Sequence, residues 1–508
     1  MVEKRMRAMW SAAAFVLALT VGAGVSTAQG PGSQPAGGSN GPTSDLGPVV
    51  AAQKQLATPG PAVSPMSTTT AGAIDPSYKG SIVRDKATDG VLQLGLQDAL
   101  DRGLKNNLGL VLQTSNEKSA SGQRLQELQY LLPTVSGAAS ISVEQVNLAA
   151  YGLKFPGLNP IIGPFQVMDF RGYLTQNLVN LQALQNFIAA KHDFEAAKLT
   201  AQDARDLVVL TVGNAYLLCI ADQSRIVAVK AEMDSSELSF KQAKDAHEAG
   251  TSPRLDVLRA QVDFQNEQQQ LISTTNQLAK DKLALARTIG LPLDQKFELS
   301  DTAPYAQFDT PDADAAFQQA IKQRKDLAAA QETLKGAEAK KKAAFDEQLP
   351  VVDVSGNYGD LGTTFGHSHG TYTVTGEITA PILQIAKTHG DEEVAAAQYD
   401  QAKAKLSDQV QQVNADVRDA ILDIQTAAKL VEATKSNVDL ADEALKEAQE
   451  RFKAGVADSL PVSQALATDE QANDQYISAL YQHNVAKLAL ARALGVAASQ
   501  SKIYLGGK

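Results

Sequence analysis

The chain is 508 residues long, with a formal net charge of −11, only 5% aromatic residues and an apolar share made mostly of Ala, Leu and Val. Interleaved with Gln, Lys, Glu and Asp, that mixture is the composition of long helices in lateral contact, with ample apolar content for a core. The acidic balance excludes a nucleic-acid binder, and the single cysteine, Cys219, excludes an intramolecular disulfide or a multi-cysteine metal site.

Residues 1–28 read as an export signal. Lys4, Arg5 and Arg7 precede an apolar stretch from Ser11 to Val25, and Ser26-Thr27-Ala28 supplies small residues for cleavage. Residues 29–90 are rich in Pro, Gly, Ser, Thr and Ala without periodicity and predict a flexible extension. No later run reaches the roughly 18 apolar residues of a spanning helix, so a membrane form would have to be a β-barrel.

The rest of the chain states one pattern twice, as repeat 1 (91–290) and repeat 2 (314–496) joined by a linker at 291–313, with a tail at 497–508. Gly250 and Gly455, and again Gly290 and Gly495, are separated by 205 residues. Each repeat opens with a predicted helix, Leu96 to Leu131 and Ala315 to Gln348, stopped by Pro133 or Pro350. The period then changes from 3.6 to 2. Val135, Gly137, Ala139, Ile141 and Val143 alternate with Ser136, Ala138, Ser140, Ser142 and Glu144, and similar alternations follow in both repeats. They predict one hairpin per repeat, at about 134–178 and about 351–380, with strands of roughly 10 residues, the length a tilted strand needs to cross a bilayer.

A long helix follows each hairpin, Gln182 to Ala249 and Gln384 to Ala454, each able to reach about 100 Å at 1.5 Å per residue. Val208, Val212, Ala215 and Cys219 on the first correspond to Val413, Val417, Ala420 and Ile424 on the second, a seam of small and medium side chains. Cys219 sits on this stripe as a core residue. Gly250 and Gly455 stop the helices, and return helices run from Pro253 to Ile289 and from Leu460 to Leu494.

The first and last helices of each repeat together nearly equal the single long one, so they are expected to stack end to end beside it. One protomer then becomes four helical strands capped by four β-strands. Four strands cannot close a barrel, because bacterial barrels begin at about eight and open edges are intolerable in lipid. Several protomers must therefore share one.

Leu96-Gln97-Asp98-Ala99 with Asn106-Asn107, the Leu-Pro before each hairpin, the Ala-Gly turns with Leu255-Asp256-Val257-Leu258-Arg259-Ala260, and the paired Ala-Arg-x-x-Gly endings carry a resemblance. Over Leu92 to Val496 the chain resembles the TolC family of outer-membrane channels, the exit ducts of efflux pumps and type I secretion systems. The resemblance implies a mostly α fold with a small β part. A two-fold repeat would form a long coiled-coil helical barrel, capped by a transmembrane β-barrel of four strands per chain and twelve per homotrimer. It implies an outer-membrane location with a large periplasmic part, and as partners a periplasmic adaptor, an inner-membrane transporter and outer-membrane lipid. It implies conduction rather than catalysis, with no cofactor.

In such a channel the helix tips close the pore and receive the adaptor, which makes Gly250, Thr251, Ser252, Arg254, Asp256, Phe452, Gly455, Asp458, Ser459 and Gln464 the candidate site residues. Asp256 and Asp458 are candidate pore-facing charges, and each is also a residue that a first helical turn favours. Arg254 could pair with Asp256. Phe452 stands where the family often has tyrosine, and Pro461 and Gln464 stand where it has carboxylates.

His367-Ser368-His369, at the tip of the second hairpin, is a weak copper or zinc candidate whose nearest carboxylate is Asp360, and an ordinary polar loop is the simpler reading. An enzyme is disfavoured, since the chain holds no Gly-rich phosphate loop, His-Glu-x-x-His or Gly-x-Ser-x-Gly. An exported periplasmic coiled-coil structural or adaptor protein without a barrel would explain the helices, but would not need proline-bounded hairpins of membrane-spanning length.

Overall fold

A computed structural model describes residues 75–504 except 154, 155, 158 and 302–307, and for 501–504 it describes the backbone alone. The export signal, most of the extension and the last four residues lie outside the described residues. The elements in chain order are β1 (Leu92–Leu94), α1 (Leu96–Asn106), α2 (Leu108–Gln129), β2 (Thr134–Asn147), β3 (Ile161–Val179), α3 (Leu181–Glu248) and α4 (Arg254–Ile289). They continue as β4 (Phe297–Leu299), α5 (Ala313–Gln323), α6 (Lys325–Asp346), β5 (Val351–Gly362), β6 (Ser368–Thr379), α7 (Ile385–Lys453), α8 (Leu460–Ala493) and α9 (Ala497–Tyr504).

The helices form a single layer because each long helix offers two flanks. The long α3, of 68 residues, packs against α2 and α6 nearer the strands and against α4 and α8 nearer its far end. The similarly long α7, of 69 residues, packs against α6 and α8. Side by side the layer therefore runs α2 with α4, then α3, then α6 with α8, then α7. The strands form one antiparallel sheet at one end, in the order β2-β3-β5-β6.

The sequence predicts one continuous opening helix per repeat, and the structure breaks both. Asn107 (φ −60°, ψ 131°) separates α1 from α2, and Arg324 (φ −66°, ψ 123°) separates α5 from α6. A break frees backbone groups that must find partners. At the first break Asn107 Oδ1 accepts from Gly109 N (3.0 Å), Leu108 N donates to Gly80 O (2.9 Å) and Ile82 N donates to Asn106 O (2.9 Å). The flexible extension read for 29–90 is therefore corrected at its end: over 75–90 the chain packs on the helices, with Tyr78 buried and its backbone carbonyl accepting from Asn107 Nδ2 at 2.6 Å. Tyr78 is seated because Gly109 leaves room; a Cβ there would lie 2.6 Å from the ring.

At the second break the guanidinium of Arg324 donates to Asp326 (2.6 Å) and Asp416 (2.8 Å), holding the turn to α7. Each break also receives the glycine that ends a return helix. Gly290 (φ 78°) sits against Asn106, and Gly495 (φ 74°) against the backbone of Arg324, where a Cβ would lie 2.9 Å from Cα and N. Gly495→Ala combines a left-handed conformation with a backbone clash, and is expected to cost about 2–4 kcal/mol. The check is thermal unfolding against Gly122→Ala, whose Cβ would meet open space.

The core gathers at this mid-height level. Leu94, Leu100, Val208, Val212, Cys219, Leu285, Ile289, Val413, Val417, Ile424, Leu490 and Leu494 form one buried cluster that joins both repeats. Both halves of the predicted seam lie in it, apart from half-buried Ala215, which packs against it. Burial pushes the Cys219 thiol up to about 12, in keeping with an inert packing residue. The linker adds a parallel pairing of β4 with β1. Tyr216 Oη closes this region by donating to Leu94 O and Asp301 Oδ2, both at 2.9 Å.

The expectation that no later run is long and apolar enough to span a membrane is corrected by α3, which meets that criterion by length and composition. Its apolar stretch is 72% buried against neighbouring helices, which is how a core helix satisfies the same test. The first part of the tail, α9, docks on α3, with Ala498 N donating to Asp206 Oδ1 at 2.6 Å.

Candidate functional site

Two regions hold the candidate functional residues: the sheet at one end and the helix tips at the other. Register sorts the sheet into two faces. Ile141 pairs with Met168, Val135 with Leu174, and Tyr358 with Tyr372, while Gly356 pairs with Val374 and Val352 with Ile378. These side chains share one face across four strands, because pairing in register keeps alternation in phase. Val135, Ile141, Val143, Leu174, Tyr358, Tyr372, Val374 and Ile378 are all exposed on it.

The opposite face is polar and internally bonded. Arg171 donates to Asp169 Oδ1 on its own strand (3.1 Å), to Asn357 Oδ1 on β5 (2.7 Å) and to Thr371 Oγ1 on β6 (3.2 Å). A sheet that shows water its apolar side and spends a guanidinium network on the other is built for surroundings that reverse the usual arrangement. Its outer strands, β2 and β6, each leave one edge unpaired.

At the far end the two turns have the same construction. Gly250 N donates to His247 O and Thr251 N to Ala246 O; Gly455 N donates to Phe452 O and Val456 N to Arg451 O. Both are Schellman endings, with Gly250 (φ 76°) and Gly455 (φ 72°) in the left-handed region. Thr251 Oγ1 also donates to Ala246 O at 2.9 Å.

Asp256 joins the turns. It is 3% exposed, and its carboxylate accepts from Ser252 Oγ (2.7 Å) in its own turn and from Ser459 Oγ (2.8 Å) in the other. Burial alone would raise its pKa, but the two serine hydroxyls and nearby Arg259 outweigh it and hold the carboxyl below its ordinary value. Its ion partner is Arg259 at 3.9 Å; Arg254, expected beside it, is exposed.

Asp458 and Gln464 are exposed, and Asp458 Oδ1 accepts from Leu460 N in its own turn. Half-buried Phe452 lines a small gap with Ser459 and Val462. The structure thus brings Ser252, Asp256 and Ser459 together and leaves Arg254, Asp458 and Gln464 in solvent.

Sequence reasoning missed further links between the helix pairs. Ser463 Oγ donates to Asp263, and Gln449 Nε2 donates to Ser235 Oγ at 2.8 Å. It also missed Glu232, Glu267 and Glu470, brought together from α3, α4 and α8. A signal was present, because Val229, Glu232, Ser236 and Ala243 share one buried stripe of α3, and a carboxylate on such a stripe is unusual.

His367 and His369 are exposed at the second hairpin tip. His367 Nδ1 lies 3.0 Å from Thr364 Oγ1, and Asp360 is engaged by Ser368 Oγ at 2.7 Å. Among the described residues the glutamate trio is the one group with three ligands in reach of each other, and it does not include these histidines.

Known proteins share this architecture. The chain is 24% identical over 312 residues to the pyoverdine export outer membrane protein OpmQ of Pseudomonas putida, a match covering 60% of this chain and 66% of that one. It is 23% identical over 451 residues to the probable efflux pump outer membrane protein TtgC of Pseudomonas putida, covering 86% and 88% of the two chains. In fold it is similar to the CmeC outer membrane channel of Campylobacter jejuni, with a TM-score of 0.72 at 16% identity over 85% of this chain and 95% of that one. The family model described as outer membrane efflux protein matches residues 100–291 and 316–496, which spans both helix-hairpin-helix units. With its two-faced sheet, its layer of long helices and this match over most of its length, the chain belongs to the outer membrane efflux protein family.

Proposed function

We propose that the protein is a homotrimeric channel-tunnel, carrying substrates handed over by an inner-membrane transporter and a periplasmic adaptor across the periplasm and the outer membrane. The observation that carries this reading is the sheet, with an exposed apolar face, a bonded polar face and two unpaired edges. Strand edges left open in lipid each cost several kcal/mol per unsatisfied group. Three copies joined β6 to β2 would remove every edge and close a barrel of twelve strands, wide enough for a water-filled lumen lined by the polar face.

The helical layer supports the same assembly. Leu255, Leu258, Val262, Ile272 and Leu283 stay exposed along α4, and Leu422, Leu430 and Leu440 along α7, so the two margins of the layer offer apolar surface to neighbouring copies. The names of the relatives, pyoverdine export and efflux pump, favour small-molecule efflux over type I secretion of proteins. The tip residues Gly250 to Asp256, Phe452 to Ser459 and Gln464 would form the periplasmic entrance where the adaptor docks and the pore closes.

The native mass of protein extracted from the outer-membrane fraction, with detergent subtracted, tests the assembly. A mass near three chains is the expected result. A monomer in the soluble periplasm would overturn the channel and favour a helical structural or adaptor protein.

A further inference from the structure

Inside the helical layer, Glu232 of α3, Glu267 of α4 and Glu470 of α8 place one carboxylate oxygen each within 4.8 Å of the others. Glu232 is 4% exposed and Glu267 6%. Both oxygens of Glu232 and Oε2 of Glu267 are sealed from solvent and meet no donor in good hydrogen-bond geometry, although the Asn473 side chain approaches Glu232 closely enough to oppose the rise of its pKa. Buried carboxylates normally have partners, so an orphaned pair of oxygens aimed at two other carboxylates calls for a ligand.

The neighbouring cations do not supply one. Arg225 is committed to Asp222 (3.1 Å), Asp474 (2.7 Å) and Ser478 (2.9 Å). Lys446 of α7 is bonded to Asp442 at 2.6 Å. The other charges near the trio are acidic: Asp263 on α4, bonded by Ser463, and Asp469 on α8, whose Oδ1 is also unpartnered. Burial first, and then repulsion from neighbouring carboxylates, pushes Glu232 up to about 8 and Glu267 up to about 7.

Beside the trio lies a cavity of about 300 Å³, lined by Glu232, Glu470, Gln270, Thr274, Asn473 and Arg225 among others. At about 30 Å³ per water it has room for an ion with part of its hydration shell. Gln270 and Thr274, both with side-chain oxygens, line the same cavity as Glu232 and Glu470, and Thr274 Oγ1 donates to Gln270 O at 2.9 Å. The trio is also not a by-product of the repeat: at the shift of 205, Glu232 and Glu267 correspond to Asn437 and Ala472, and Glu470 to Gln265.

We propose that Glu232, Glu267 and Glu470 form a binding site for a hard divalent cation, Ca²⁺ in preference to Mg²⁺, that ties the α3–α4 hairpin to the α7–α8 hairpin. An all-oxygen set of carboxylates with adjustable neutral donors and water suits Ca²⁺, which accepts 6–8 oxygens in irregular geometry, better than Mg²⁺, which demands an octahedron. The site lies about 20 Å along α4 from its start, 13 residues at 1.5 Å each, and so braces the helices above the tips.

The test uses full-length protein extracted in detergent and stripped with EGTA. Calorimetric titration with CaCl₂ and separately with MgCl₂ is combined with thermal unfolding in EGTA and in 1 mM CaCl₂. The proposal expects about one Ca²⁺ per chain and a Tm higher by several degrees in CaCl₂. It also expects affinity at least tenfold lower in Glu232→Gln/Glu267→Gln, with that variant's Tm unaffected by Ca²⁺. The single variant Glu470→Gln, at the half-buried member, repeats the comparison should the double variant fold poorly. Equal Tm in EGTA and CaCl₂ with no saturable heat from either ion would overturn the site and leave the cluster as carboxyls that keep their protons. So would Ca²⁺ binding retained in full by Glu470→Gln and the double variant, which would place the ion elsewhere. Because the readout is binding to the purified chain, its failure is distinguishable from a failure of the trimeric channel.

Discussion

A protein carrying Val374→Arg is expected to disappear from the outer-membrane fraction, whereas Thr373→Arg, one residue away, should assemble. Val374 lies near the middle of β6, exposed on the apolar face opposite Gly356. In the proposed barrel that places it near the bilayer midplane, where arginine on the lipid face costs about 2–4 kcal/mol. A homotrimer carries the change three times, so the penalty of about 6–12 kcal/mol exceeds what an assembly of ordinary stability tolerates. Thr373 projects to the other face, beside Asn357, where a guanidinium would join polar groups already bonded to Arg171. Membrane fractionation and native mass of the two variants check the pair. Equal assembly of both would reject the assignment of lipid and lumen faces.

Asp256→Ala is expected to raise the conductance of the reconstituted channel several-fold and to leave the fold intact. The substitution removes a carboxylate that receives two hydroxyl hydrogen bonds, from Ser252 in one turn and Ser459 in the other. Hydrogen bonds to a charged group are worth about 1.5–3 kcal/mol, and one clamp per chain repeats three times around the entrance. A bias of that size moves a two-state closure by more than tenfold in population. The turns themselves keep their Schellman bonds, which depend on Gly250 and Gly455 and not on Asp256.

The sign with pH follows from the same contacts. Asp256 has a folded-state pKa below its unfolded value, so its contribution is fully present above the ordinary carboxylate pKa of about 4. It is lost as pH falls through the lowered value. Acidification into that range should therefore open the wild type toward the behaviour of Asp256→Ala and have little effect on the variant. Planar-bilayer conductance, supported by circular dichroism of both proteins, measures this. A variant with native conductance and native pH dependence would remove Asp256 from closure.

Much of this architecture is legible in the amino-acid sequence. Hydrophobic period 3.6 switching to 2 after Pro133 and Pro350 marks where helix gives way to strand, because proline removes a donor and restricts the residue before it. The glycines at 250 and 455 mark the far turns, because only glycine takes the left-handed angle without strain. Other features were not legible because they are set by partners distant in sequence. The breaks at Asn107 and Arg324 interrupt strong helical patterns. They are maintained by chain 80–82 at the first and by carboxylates on α6 and α7 at the second.

The tips show the same division. Ser252, Asp256 and Ser459 all appear in the sequence as turn and first-turn residues, where solvent exposure is the default reading. Their joining across 203 residues depends on the two hairpins packing side by side. The order of helices and strands, the two-faced strands and the turns were thus determined by local periodicity and backbone sterics, which any short window of sequence expresses. The helix breaks, the clamp at Asp256 and the gathering of Glu232, Glu267 and Glu470 were decided by tertiary structure alone. Each depends on which faces of separate helices meet, and that is a property of the packed layer rather than of any one segment.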